Sequence, residues 1–210
     1  MATYSSIKYN FDLPAASTSA QVGSGAMILI KTIDSDGSDA TISFVDGASS
    51  VVLDNTYKTY VFKLIDIHPE NDDGYLKFQC SVDTGSNYNV ACTSTFFASY
   101  HLEDDSGAGL SYDGSLDLAQ GTGFMAMGYG ASNLNDACEV STLFLHNPSD
   151  TTFVKHFTLV GNGNLKNAIH GNNHNLAGGY FNTTSAIDAI QFAVNGAEIQ
   201  AGSIKMYGIA

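Results

Sequence analysis

The stretch from Tyr57 to Ile67 contains neither Gly nor Pro and is dense in aromatic and β-branched residues, a composition that suits a pleated strand. Successive side chains on a strand point to opposite faces. One face therefore carries Tyr60, Phe62 and Leu64, which read as core. The other carries Tyr57, Thr59, Val61, Ile65 and Ile67 around Lys63. That second face is too apolar for open water, so a loop or another subunit is expected to cover part of it.

Two further runs repeat the alternation. Leu76, Phe78, Cys80 and Val82 alternate with polar residues, as do Val90, Cys92, Ser94, Phe96 and Ala98 with Thr93, Thr95 and Phe97. With His68 to Gly74 and Asp83 to Asn89 as loops, one register sets Leu64 against Phe78, Phe62 against Cys80 and Cys80 against Cys92. A one-residue slip would turn a whole set to the wrong side. The expectation is a three-stranded antiparallel meander, with Cys80 and Cys92 as an opposed pair of buried thiols.

A chain of 210 residues suits one all-β domain. Charged residues are 14% of the total, with no Arg and no Trp, so the polar surface comes from Ser, Thr, Asn, Asp and Gly, which favour strands and turns. The formal net charge is −13, which excludes the basic footprint that nucleic acid requires. The longest apolar run, Ala26 to Ile30, is far below the ~20 residues that span a bilayer. No signal peptide is evident at Met1 to Asp12, so the chain is expected to be made and kept in the cytoplasm or to leave without a cleaved leader.

Taken in order, residues 1–25 form a polar, small-residue segment with Tyr4, Ile7, Tyr9, Phe11 and Leu13 spaced at two or three. It reads as a docking arm or as an edge strand and linker. Residues 26–210 form the domain. Met27 to Ile33 and Ala40 to Val45 suggest a hairpin around Asp34, Asp36 and Asp39. That acidic spacing resembles the start of a calcium loop, but Asp and Gly also suit a plain turn, the stronger reading. Ser106 to Asp136 is irregular and glycine-rich, either a binding or interface loop or a short strand near Phe124 to Met127. Cys138 to His146 and Phe153 to Val160 suggest a hairpin across a Pro148 turn, setting Phe144 against Phe153 and placing His146 and His156 on opposite faces. Gly161 to Asn182, with seven asparagines, reads as a surface loop. Ala186 to Val194 and Ser203 to Ile209 are the last strands. Eight to ten strands at even spacing read as an antiparallel β-sandwich, jelly-roll-like.

No nucleophile elbow, phosphate loop, zinc-protease motif or paired Cys motif is present, and most acids fall in turns. The sequence nominates no catalytic residue, no metal ligand and no cofactor. Tyr112, Tyr129, His170, Asn172, His174 and Tyr180 combine aromatic faces with amide and imidazole hydrogen-bonding groups, a mixture that suits sugar recognition and is equally the ordinary chemistry of turns. Val61, Ile65, Ile67, Phe97, Phe124, Met125 and Met127 exceed what one core can hide, and so read as an interface between identical subunits.

The run from Asp54 to Pro69 resembles one found in small structural proteins of tailed phages, especially phages of marine bacteria. So do Asp83 to Asn89, His146 to Phe157, Asn182 to Ala186 and the ending Gly202 to Ile209. The similarity covers roughly Ser43 to the C-terminus. It implies a virion protein with a β-sandwich, either tail-fibre-like or a surface decoration. It would be assembled in the host cytoplasm and would contact other virion proteins, itself (as a trimer) and, in the fibre case, a host glycan.

Overall fold

The structure is a computed structural model that describes residues 26–166 and 170–210; the expected docking arm, residues 1–25, lies outside them. Among the described residues the chain is all-β, without helix. Two antiparallel sheets pack into a β-sandwich. The large sheet holds β1 (Met27–Asp34), β3 (Thr59–Pro69), β5 (Cys92–Leu102), β6 (Ala108–Tyr112), β7 (Ala119–Gly121), β9 (Glu139–His146), β10 (Lys155–Asn164), β11 (Gly171–Phe181) and β13 (Ile199–Ile209). Its order is β1-β13-β3-β9-β10-β11-β5-β6, with β7 also on β5. The small sheet, β2-β12-β4-β8, holds β2 (Ile42–Val45), β4 (Leu76–Ser81), β8 (Met125–Ala126) and β12 (Ala189–Val194).

The core lies between the sheets and is strongly aromatic. From the large sheet come Phe62, Phe157 and Phe181; from the small sheet come Phe44, Phe78 and Phe192, all within 1% of complete burial. Phe62 meets Phe44 and Phe192 at centroid separations of 5.5 and 5.3 Å. Phe78 meets Phe157 and Phe181 at 5.2 and 5.9 Å, mostly edge to face, the geometry that ring quadrupoles favour. Tyr60 is fully buried and still satisfied. Its hydroxyl donates to the Asp54 carbonyl and accepts from the Asp54 amide, while burial pushes its pKa up to about 12.

The expected meander does not form. β3 lies between β13 and β9, β4 between β12 and β8, and β5 between β11 and β6, so none of the three pairs with another. Each was assigned its correct apolar face: Tyr60, Phe62, Leu64, Leu76, Phe78, Cys80, Cys92 and Phe96 all enter one core. They meet across the sandwich rather than along a sheet. Val82, expected inside, follows β4 and is exposed. Cys80 and Cys92 are buried, unpaired thiols, with burial pushing Cys80 well up and Cys92 up to about 12. The first expected hairpin is likewise divided, β1 joining the large sheet and β2 the small one. In the connecting turn, Asp39 accepts from Ser35 Oγ and the Asp36 amide, and Asp36 accepts from the Ser38 amide, as a plain turn requires.

The β9–β10 hairpin forms, but five residues out of the expected register, with Phe144 opposite Thr158 and Phe157 opposite Leu145. Asp150 is the cause. After the Pro148 turn its carboxylate accepts from the Thr152 and Phe153 amides, building a second turn that delays β10 until Lys155. An odd shift reverses parity, so His146 and His156 share a face. Burial and the neighbouring His156 hold His146 below the ordinary imidazole range. Lys155 begins β10 facing inward, fully buried, its ammonium donating to the Phe153 and Thr183 carbonyls at 2.9 and 3.1 Å.

The asparagine-rich segment is not a loop. It forms β11, eleven residues long, paired along its length with β10 and β5. Asn and Gly are poor strand formers, but two complete ladders outweigh local preference. The glycine-rich Ser106–Asp136 segment contains β6, β7 and β8, and the short strand expected near Phe124 to Met127 is β8, paired with β4.

Candidate functional site

Inward-facing residues change character toward one end of the large sheet. On β9 the series runs Leu145, Leu143, Ser141, Glu139; on β10 it runs Phe157, Leu159, Gly161, Gly163; on β11 it runs Phe181, Ala177, Asn175, Asn173. Register sets Gly161 between Ser141 and Asn175, and Gly163 between Glu139 and Asn173. The core thus passes from rings to a polar end, where the segment after β8 crosses over it.

Glu139 is the most perturbed acid there. It is 3% exposed. Its Oε2 accepts the Leu76 amide at 3.2 Å, and its Oε1 has no protein partner. Burial pushes its pKa up to about 7 against the opposing Leu76 hydrogen bond. Gly128 and Gly163 make room for it, since an added Cβ at Gly128 would overlap Oε1 and one at Gly163 would come within 2.8 Å of Cγ. A raised carboxyl pKa is a mark of general acids, but this one is sealed from solvent.

Above it, Asn175 donates to Asn173 Oδ1 at 2.9 Å, and Asn173 donates to the Tyr129 carbonyl at 2.7 Å. The two buried amides form a relay that fixes the backbone of Tyr129. Beside Tyr129 lies a cleft of about 420 Å³ lined by Ala98, Ser99, Tyr100, Leu102, Ser111, Asp113, Leu165, Lys166 and Asn173. Tyr100 and Tyr129 are each 44% exposed, leaving ring surface for a ligand. Lys166 is anchored through Nζ to Asp73 at 2.8 Å and through its amide to the Gly130 carbonyl. Asp73 holds its ammonium above the ordinary range. Asp113 is the single carboxylate among the cleft-lining residues.

The expected binding residues do not converge. Tyr129 lines the cleft. Asn172, His174 and Tyr180 stand on the outer face of β11, away from the core, and His170 is exposed just before that strand. Tyr112 lies on β6, edge-on to Phe97 at 5.3 Å, with its hydroxyl donating to Asp117. Tyr100, Asp113 and Asn173 were missed. The signal for Asn173 was parity: in the run Asn172-Asn173-His174-Asn175 every second residue faces inward once the segment is a strand.

The expected interface also divides. Phe97 is exposed and Ile65 half-buried on the outer face of the large sheet. Phe124 is half-buried beneath the Lys77 ammonium, 5.3 Å from its ring centre. Val61, Ile67, Met125 and Met127 are buried within the chain, which corrects their assignment to an interface. Val61 sits between Tyr207 and Phe144 on the flanking strands. Met125 accepts from Ser94 Oγ through its sulfur. Ile67 is turned into the core by a bulge, where Asp66 adopts φ 53° and Gly202 opposite it φ 118°.

Comparison with known proteins gives no match: no family model, curated protein or solved structure is significantly similar to this chain.

Proposed function

We propose that this chain is a structural protein of a tailed-phage particle, displayed on the particle surface as a fibre or appendage module, and that its Tyr129 cleft binds a host-surface glycan. The sequence resemblance from Ser43 onward supports the virion role. The cleft supports the recognition role: two half-exposed tyrosines stand among hydroxyl, amide, carboxylate and ammonium groups, the mixture that holds a sugar by stacking and hydrogen bonding. Hydrolysis of a glycosidic bond ordinarily takes two carboxylates flanking it. The cleft supplies Asp113 alone, so the reading is binding rather than turnover. Three free thiols agree with assembly in a reducing host cytoplasm.

The test is binding of the purified protein to host cells, with free host polysaccharide as competitor. Tyr100→Ala and Tyr129→Ala together are expected to weaken binding roughly tenfold or more, at about 0.5–1.5 kcal/mol per lost aromatic contact. Undiminished binding by the double variant would remove the cleft from the proposal. A capsid decoration protein that touches only other virion proteins is the second reading, favoured by the broad apolar outer face of the large sheet. Protein found only at capsid lattice points, with no affinity for cells, would establish that reading instead. The trimer that the resemblance implies belongs to the fibre reading.

A further inference from the structure

The outer face of the large sheet differs from the rest of the surface. Tyr112, Phe97, Leu176 and Val160 stand opposite one another in register across β6, β5, β11 and β10. Each is between 42% and 49% exposed. Leu110 and Val140 flank this row, and Met27 and Leu29 continue the apolar surface on β1. A shallow hollow of about 260 Å³ lies among Lys63, Ile65, Val140 and Val160.

Charge is segregated as well. The chain has 21 acids against 8 Lys. Among the described residues, carboxylates near this face are confined to its margins. Asp34 ends β1, Asp66 sits in the bulge of β3, Asp105 pairs with His101, and Asp117 meets the Tyr112 hydroxyl. Within those margins the face carries Lys63 and Lys205, paired in register, together with His146, His156 and His174.

We propose that this face is the contact between two copies of the chain, packed outer face to outer face about a twofold axis. Three observations select a second copy. Other approaches bring carboxylates of a −13 chain together, whereas this one brings together apolar side chains and imidazoles, with Lys63 and Lys205 near enough to the margin to meet the partner's rim carboxylates rather than the apolar row. The apolar row needs an apolar counterpart, and the remaining exposed large hydrophobics, such as Val82, Leu134 and Phe153, are scattered off this face. Eight strands at about 4.8 Å spacing give a face on the order of 1,000 Å², enough for the ~800 Å² per partner of a stable interface. Twofold pairing of one self-complementary patch is the commonest closed symmetry.

The proposal stands apart from glycan binding, puts twofold pairing in place of the trimer that the resemblance implies, and is tested by solution mass. The wild-type chain is expected to sediment at twice 22.2 kDa at micromolar concentration and to associate more tightly as salt screens its acids. Leu176→Asp with Val160→Asp should raise the dissociation constant at least 100-fold while circular dichroism stays unchanged. Should that pair fail to fold, Val160→Thr with Leu176→Thr puts strand-favouring β-branched residues at both positions and should weaken association by the same mechanism. Phe153→Ser, off the face, should leave the mass unaltered. A monomer at 100 µM overturns the proposal, as does a trimer or a dimer indifferent to the outer-face substitutions.

Discussion

At the scale of single residues, tight fit and buried charge govern what can be changed. Gly208 faces inward on β13, and the Tyr57 ring lies so close that an added Cβ would overlap it. The overlap involves the base of the ring, which cannot swing aside freely. Gly208→Ala is therefore expected to cost about 1–3 kcal/mol, read as a lower denaturant midpoint at unchanged slope. Glu139 gives a pH signature. Its folded pKa, pushed up to about 7 from an ordinary 4.5, means the folded state holds more protons than the unfolded state between those values. Its contribution is fully present below pH 4.5 and is lost as pH rises through 7. Glu139→Gln should remove this decline. The wild-type minus variant stability difference should fall by up to about 3 kcal/mol between pH 4.5 and 8, measured by denaturant unfolding. His146, held low, acts in the opposite direction and cancels in that difference.

At the scale of elements, the faces of the strands were legible and their partners were not. The alternation in β3, β4 and β5 identified most of the core residues that those strands contribute, because parity reflects burial. Parity is the same whether two apolar faces lie side by side in a sheet or opposite each other across a core, so it could not distinguish a meander from a sandwich. The loops before β4 and β5 are long enough to change sheets. β11 was illegible for another reason: its strand conformation comes from two neighbours rather than from Asn and Gly, and the cleft that Asn173 supports was hidden with it. The bulge at Asp66 was also invisible, since one extra residue reverses parity without altering composition. Deleting Asp66 should turn Ile67 out of the core and destabilise by several kcal/mol, comparable with losing a buried large side chain. Asp66→Gly, which keeps the bulge and suits its positive φ, should stay within about 1 kcal/mol. Thermal melts of the two variants check the contrast.

At the scale of the whole molecule, the two sheets are protected unequally. The outer side of the small sheet is partly covered: Gln79, fully buried, donates to the Thr122 and Gly123 carbonyls of the segment leading to β8. The large sheet's apolar outer face has no such cover from the described residues, which is why oligomeric state is its decisive observable. The order of strands has a further consequence, for synthesis. β3, at the middle of the chain's apolar pattern, bonds to β9 some seventy residues later and to β13, whose Tyr207 pairs with Val61. Among the described residues β1 bonds only to β13. At about 5–20 residues per second of translation, these strands wait several seconds or more for partners, and non-local pairing of this kind is slow to form once they arrive. Ending the chain at Glu198 would leave β1 with no partner strand and β3 with one edge open, and such a product is expected in the insoluble fraction. A chain stopped before residue 199 would thus be aggregation-prone, because the strand that joins β1 to β3 is the last of the described elements to be made.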